Sequence, residues 1–416
     1  MNEFIEYELG EVANIGMGQS PPSSSYNSQE RGLPFLQGCS EFGPRHPRPV
    51  IYCDNPGRIA PKNSILISVR APVGTLNIAD LSYCIGRGLG YVEGRTATTQ
   101  YLYYLLAILR PKLERCSQGS TFEAINSSEL RQLCVSIPPL PEQRKIALIL
   151  GTLDELIERT EALIAKYESI RQGLMHDLFT RGLTEQGHLR PPQSQAPNQY
   201  KKSELGWIPK DWEVSTVGSE LLGIDAGKSP DCPDIPATPG EWGVLKVSAV
   251  QPDGFRSEEN KIIINPALVN PLYEVHDGDL LISRSNTYQL VGIVSLVRSP
   301  QPQLMMCDKT LRLRFNSQRS VVEFMFWLLQ QHPIRKQIEI HATGTSGSMK
   351  NISQSAIRSL QFKLPPVDEQ EQIVERIQSL QATISDERQK SAKLSEVKAG
   401  LMQDLLTGKV RVKIEE

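Results

Sequence analysis

The sequence predicts an α+β chain: two sheet-rich domains in tandem, each followed by a long helix. Three observations carry this expectation. An internal repeat returns at one fixed offset, two long proline-free stretches have helical periodicity, and short β-branched runs sit among turn residues. Ile137-Pro138-Pro139-Leu140-Pro141-Glu142-Gln143 returns as Leu364-Pro365-Pro366-Val367-Asp368-Glu369-Gln370, 227 residues later. Gly173-Leu174-Met175-His176-Asp177-Leu178-Phe179-Thr180 returns as Gly400-Leu401-Met402-Gln403-Asp404-Leu405-Leu406-Thr407, again after 227. Equal offsets at both ends mean that the stretches between have equal length. Self-similarity of this kind marks a duplicated architecture.

Those stretches are predicted as helices. Neither 142–180 nor 368–407 contains proline. Pro141 suits a first helical position, and Asp368 with Glu371 has the form of a capping box. Ile146, Leu150, Leu153, Ile157, Ile164, Tyr167, Leu174 and Leu178 recur at steps of mostly three and four, the stripe of a helix that pairs with another. Ile373, Ile377, Leu380, Ile384, Leu394, Val397, Leu401 and Leu405 repeat the pattern. At 1.5 Å per residue each helix spans roughly 55–60 Å, the length of a rod. Gly173 and Gly400 share a repeat position inside these helices, where glycine costs about 1 kcal/mol against alanine. Either another backbone approaches them, that of the sister helix or of a partner, or they are tolerated near a fraying end.

Before each helix the repeat is fainter. Gly18-Gln19-Ser20-Pro21 resembles Gly227-Lys228-Ser229-Pro230, and Ile65-Leu66-Ile67-Ser68 resembles Leu280-Leu281-Ile282-Ser283. The drifting offset implies one scaffold with loops of different length. Strands are expected at 64–69, 261–264, 280–283, 292–297 and 311–315, and shorter helices at 100–109 and 321–330. A Pro, Gln and Ser-rich stretch at 183–204 reads as a linker. The expected division is therefore a domain at 1–136, a helix at 137–182, the linker, a domain at 205–363, and a helix with its tail at 364–416.

At 416 residues, with 39% apolar and 22% charged residues, the composition is that of a soluble globular protein. No apolar run reaches the ~20 residues that span a bilayer, and the start of the chain lacks a signal-peptide pattern, so no membrane partner and a cytoplasmic location are expected. The seven cysteines form no Cys-x-x-Cys pair, which excludes a zinc cage or disulfide framework by spacing. Net charge is −2, against the basic footprint usual for nucleic-acid binding, unless charge is segregated or a partner supplies phosphate contacts.

Motifs for chemistry are missing. Gly223-Ile224-Asp225-Ala226-Gly227-Lys228-Ser229 is one residue short of a phosphate loop, and Gly18-Gln19-Ser20 has no lysine. No Asn-Pro-Pro-aromatic or Asp-Pro-Pro-aromatic stretch is present to hold a base for methylation, and the six histidines make no metal-ligand cluster. No catalytic residue, metal or cofactor of its own is expected.

The sequence resembles the specificity subunits of type I restriction-modification systems. The resemblance rests on the Pro-Pro-x-x-Glu-Gln start and Gly-Leu-Met-x-Asp-Leu-x-Thr end of the helices. It rests also on Leu205-Gly206-Trp207-Ile208-Pro209-Lys210-Asp211-Trp212 and on Ile67-Ser68-Val69-Arg70-Ala71-Pro72-Val73-Gly74. The first unit lacks a counterpart of 207–212, and the second replaces Arg70-Ala71-Pro72 with Arg284-Ser285-Asn286. The family implies two target-recognition domains held apart by two antiparallel helices that form a coiled coil. Each domain reads half of a split, non-palindromic DNA sequence. Two methyltransferase subunits dock on the helices, and restriction (translocase) subunits join through them. S-adenosylmethionine, ATP and Mg are then expected in those partners.

Candidate DNA contacts are Arg70 and Arg284, each placed after a strand at what reads as a matching repeat position. Arginine reads guanine bidentately and also binds phosphate; the alternative is an ion-paired surface arginine. The loop 343–351, with Lys350 and Asn351, and its counterpart with Ser120 and Thr121 are either phosphate-binding backbone or plain turns. Partner contacts are expected at Gly173, Leu174, Met175, Gly400, Leu401 and Met402. The rival classes are an enzyme with a dispersed site, a scaffold that binds only proteins, and a DNA binder that works alone.

Inserting or deleting a few residues near Tyr167 is expected to change the spacing of the two half-sites and leave the bases of both unchanged. Methylome sequencing of a host carrying the variant measures this, and unaltered spacing would refute the rod as a caliper.

Overall fold

The computed structural model describes residues 4–117, 124–346 and 349–414. The chain divides into two compact units, Met1–Ile164 with Asp386–Glu416, and Ala165–Ser385. Each unit combines one sheet-rich domain with half of each long helix.

In the first unit an antiparallel sheet runs in the order Ala13–Met17, Leu89–Gly94, Ile65–Ser68, Leu76–Ile78. In the second the order is Leu221–Ala226, Thr310–Phe315, Leu280–Ser283, Val294–Leu296, also antiparallel. The two sheets have the same topology although their loops differ in length. A helix follows each, Thr99–Ile108 and Val322–Leu329, close to the ranges expected from their apolar periodicity. Leu102, Leu105 and Leu106 pack with Ile65, Ile67 and Val92 of the sheet and with Ile146 and Leu150 of the first long helix. Phe324, Met325 and Leu328 make the same sandwich with Leu280, Ile282 and Leu311 and with Ile373, Val374 and Ile377 of the second.

The long helices are Leu140–Thr180 and Val367–Leu405. Asp368 lies inside the first turn rather than at a cap, so the expected capping box does not form. In the first unit Asp154 pairs with Lys398 and Glu142 with Arg411; in the second Arg171 bonds Gln381 and the Leu183 N–H bonds Glu369. As one number rises the other falls, so within each unit the helix segments run antiparallel. The helices are thus more than rods. Leu405 and Leu406 are buried in the first core, and Leu178 and Phe179 in the second.

The repeated Glu-Gln pair makes the junction between helix and domain. Gln143 accepts the Thr98 N–H at 2.9 Å and donates to the Pro138 carbonyl at 2.9 Å. Gln370 accepts the Val321 N–H at 2.9 Å and donates to the Pro365 carbonyl at 2.9 Å. Both amides therefore satisfy an N–H at the start of the neighbouring helix, a donor without a partner inside that helix. The glutamates are clasped by the segment that follows the other helix. Glu369 receives Arg190 at 2.6 and 3.0 Å, the Trp212 indole N–H at 3.0 Å and the Leu183 N–H at 2.7 Å. Glu142 receives the Nε–H and Nη2–H edge of Arg411 on its two oxygens, and that guanidinium also lies 5.2 Å from the centre of the Phe4 ring.

The stretch 183–204 is consequently not a free linker. Leu183, Arg190 and Tyr200 are buried, and Tyr200–Ser203 pairs with Gly206–Pro209. Its polar composition conceals three anchors, of which the charged one is neutralised by Glu369. Among the described residues no helix is long and apolar enough to cross a membrane.

Arg190→Ala is expected to destabilise the second unit by about 3–5 kcal/mol, because it leaves the Glu369 carboxylate buried without its cation. Urea unfolding followed by tryptophan fluorescence of Trp212 measures it. Arg411→Ala should cost less, since that side chain is 42% exposed against 8% for Arg190.

Candidate nucleic-acid interface

Antiparallel order brings three loops to one end of each sheet. In the second unit Gly227–Ser229 follow the first strand, Lys309 precedes the second and Arg284 follows the third. The Arg284 N–H donates to the Lys309 carbonyl at 2.9 Å, and the Arg284 carbonyl accepts the Ile352 N–H at 2.9 Å. Ser285–Asn286 then pairs with Met349–Asn351, with Ser285 opposite Asn351 and Asn286 opposite Lys350. Arg284, Lys350 and Asn351, far apart in sequence, thus share one small sheet beside Lys309. The Lys350 ammonium donates to the Gly344 carbonyl at 2.7 Å, which closes the hairpin that carries it.

In the first unit the Val69 N–H donates to the Gly88 carbonyl at 3.0 Å and Val69 accepts from Ile125 at 2.9 Å. Those are the bonds of Arg284. Val69, not Arg70, is therefore the structural equivalent of Arg284, and Arg70 corresponds to Ser285. The matched position expected for the two arginines is corrected by one residue, and on a strand one residue reverses the face. Val69 is buried while Arg70 is exposed and bridged to Ala124. Ser120 and Thr121 lie outside the described residues.

The rejected phosphate-loop motif is a structural joint. A Cβ on Gly227 would stand 2.3 Å from the Cys307 carbonyl oxygen, and one on Gly18 would stand 2.1 Å from that of Gly86. Ser229 bonds Asp308, and Ser20 accepts the N–H of Arg87 at 3.3 Å. Glycine permits the approach and serine ties the loop. The joint places Lys228 and Lys309 in one unit and Arg87 in the other at the same end of the sheet. Lys228 is visible in the sequence only through the faint repeat and the rejected motif, while Lys309 and Arg87 stand alone in loops with no periodicity to mark them.

Arg256, Arg298, Arg312 and Arg319 are all ion-paired. Among the described residues Lys228, Arg284, Lys309, Arg70 and Arg87 have no carboxylate partner. The two long helices hold 15 carboxylates and 10 cations, a net −5, which leaves +3 on the remainder of a chain at −2. The modest net charge thus conceals segregation.

The positions expected to meet partners divide. Leu174 and Met175 pack partly onto the second core, and Leu401 and Met402 onto the first, so they serve the fold. A Cβ on Gly173 or on Gly400 would meet nothing within 4 Å, which excludes a close approach by the sister helix. Three residues before each glycine, Ile170 is 45% and Val397 44% exposed.

A family model described as type I restriction modification DNA specificity domain matches residues 1–169 and 209–396. The chain belongs to this family. The MjaX type I restriction enzyme specificity subunit assigned in Methanocaldococcus jannaschii is 41% identical over 180 residues, 43% of this chain and 42% of that one. The MjaVIII specificity subunit of the same organism is 27% identical over 326 residues, 75% of this chain and 70% of that one. The first match thus spans less than half of the relative's length. The crystal structure of a type I restriction-modification S subunit from M. genitalium shares the fold, with a TM-score of 0.61, 15% identity, and coverage of 100% of this chain and 97% of that one. In this specificity-domain chain each sheet end is accordingly a candidate surface for DNA.

Arg284→Ala and Arg70→Ala are each expected to cost about 1–3 kcal/mol of affinity for the cognate duplex, and the two losses to add. Fluorescence anisotropy at fixed salt measures both. Undiminished affinity in the double variant would remove these sheet ends from the interface.

Proposed function

We propose that this chain is the non-catalytic DNA-recognition subunit of a cytoplasmic type I restriction-modification complex. Each unit presents one sheet end to one half of a bipartite, non-palindromic site. The observation that carries this is the same backbone joint bearing different polar side chains in the two units: Arg70 and Arg87 in one, Lys228, Arg284, Lys309, Lys350 and Asn351 in the other. Identical frames with different contacts read different bases. Phosphate contact by exposed cations fixes position, while base edges in the groove give specificity.

Two methyltransferase subunits dock on the helices, one at Ile170 and Gly173 and one at Val397 and Gly400. A glycine with open space over it, next to an exposed aliphatic side chain, lets a second helix approach closely. The duplication at an offset of 227 supports one docking on each helix. Methyl transfer, with S-adenosylmethionine, and restriction, with ATP and Mg, belong to the partner chains. Co-purification with the neighbouring operon's products, followed by methylome sequencing of the host, tests the whole reading. Tight specific binding by the chain alone, with no methyltransferase bound, would replace it by a stand-alone DNA binder.

Gly173→Leu and Gly400→Leu are expected to act with opposite signs on two measurements. Each should raise the melting temperature, because a helix-interior glycine is replaced by a good helix former in open space. Each should also lose one of the two methyltransferases in native mass spectrometry. A full complement of two in the double variant would refute docking at the glycines.

A further inference from the structure

One structurally equivalent place is built in opposite ways in the two units. In the second, Glu213, Ser215, Glu220, Arg319 and Ser320 form a single network. Arg319 bonds Glu220 at 3.1 Å and Glu213 at 2.6 Å, and Ser215 and Ser320 donate to Glu220 at 2.5 and 3.1 Å. Burial by itself would raise the Glu220 pKa, but the bonds from Arg319, Ser215 and Ser320 hold it below the ordinary carboxylate value. The network seals this surface from within.

The equivalents in the first unit follow from shared hydrogen bonds. Leu9 donates to Leu133 as Val217 does to Leu360, Thr98 meets Gln143 as Val321 meets Gln370, and Ile5 stands opposite Ile137 as Glu213 does opposite Leu364. The five positions are then Ile5, Tyr7, Val12, Thr96 and Ala97. Every member of the network has been replaced together. What remains is a groove of about 740 Å³ floored by Val12 and Ala97 and walled by Ile5, Tyr7 and Pro138–Leu140. Ile5 is 54% exposed and Leu140 38%. Farther along the first helix Leu148 is exposed beside Gly151, where the second helix has Glu375 and Gln378.

We infer that this groove is a docking site for one segment of a methyltransferase subunit, an apolar stretch carrying a lysine or arginine, and that the second unit has no such site. The inference rests on the proposed reading that methyltransferases dock on this chain. Apolar walls require an apolar occupant. Its cation is set by Glu11, the carboxylate that lines the groove, which has no ion-pair partner among the described residues; Glu6 and Glu8 alternate to the other face of the strand. The Glu11 carboxylate also repels nucleic-acid phosphate. Arg319 supplies the internal precedent, since in the second unit a guanidinium of the chain itself occupies this place. The two dockings are therefore unequal, with the first unit holding its methyltransferase by an additional grip.

The test places a photo-crosslinking benzoylphenylalanine at Tyr7, and as a control at the exposed Glu213 of the equivalent strand, in the full chain assembled with the methyltransferase encoded beside it. An adduct is expected from position 7 only, mapped to an apolar methyltransferase segment bordered by lysine or arginine. In parallel, the double variant Ile5→Ala, Tyr7→Ala, which alters only exposed side chains, should weaken one of the two methyltransferase dissociation steps about tenfold and leave the other unchanged. An adduct to DNA or to a second copy of this chain, equal adducts at 7 and 213, or no adduct within an intact complex would overturn the asymmetric groove alone. Failure of the wild-type chain to bind the methyltransferase would overturn the proposed function with it.

Discussion

The fold hangs on a glutamine amide. Gln143 and Gln370 each accept the first N–H of the short helix that backs the sheet and donate to the proline carbonyl just before their own helix. The bonds to the proline carbonyls are buried and those from the helix-start N–H groups partly buried, so leaving either unpaired would cost much of the desolvation of a backbone dipole. One side chain with a donor and an acceptor answers both needs at once. The preceding glutamate does the complementary task. It faces back along the helix pair and binds the arginine that follows the other helix. A two-residue motif thus joins sheet to helix and helix to helix.

Around these joints the chain is duplicated, and the consequences differ between inside and outside. Inside, Leu105 and Leu328, Ile146 and Ile373, and Leu178 and Leu405 keep the packing that both units share, because a dense core tolerates little change of volume. Outside, the two units diverge as exposed positions can. The ends of the sheets carry different cations on the same backbone bonds. At the edge of the first strand, a five-residue ionic network in one unit is an apolar groove in the other. Shared backbone geometry with altered side chains is the physical basis of the proposal that one architecture recognises two different things.

Several features were legible in the sequence because they are local and periodic. The long helices, their nearly equal length of 41 and 39 residues, the sheet strands and the short backing helices follow from apolar spacing and turn residues. Arg284, Lys350 and Asn351, chosen from loops, do come together. The errors have physical causes as well. Arg70 and Arg284 were matched through a shared residue type, whereas the hydrogen bonds align Val69 with Arg284. The stretch 183–204 has a linker's composition, yet Leu183, Arg190 and Tyr200 anchor it to Glu369 and its surroundings. Leu174, Met175, Leu401 and Met402 lie in a repeated motif, and that repetition marks core packing as well as any outward role.

What the sequence by itself determined is periodicity: the duplication and the two helices of nearly common length. These reside in spacing along the chain, which needs no third dimension to be read. Only the tertiary structure decided which side chains are neutralised and which remain free. Arg190, Arg312 and Arg319 look no different from Arg70 and Arg284 in one dimension. Their carboxylates lie tens to hundreds of residues away, and a Coulomb interaction depends on distance through space. The same holds for the groove at Ile5 and Tyr7, whose openness follows from the absence of an arginine at Thr96, ninety residues along the chain and adjacent in the fold.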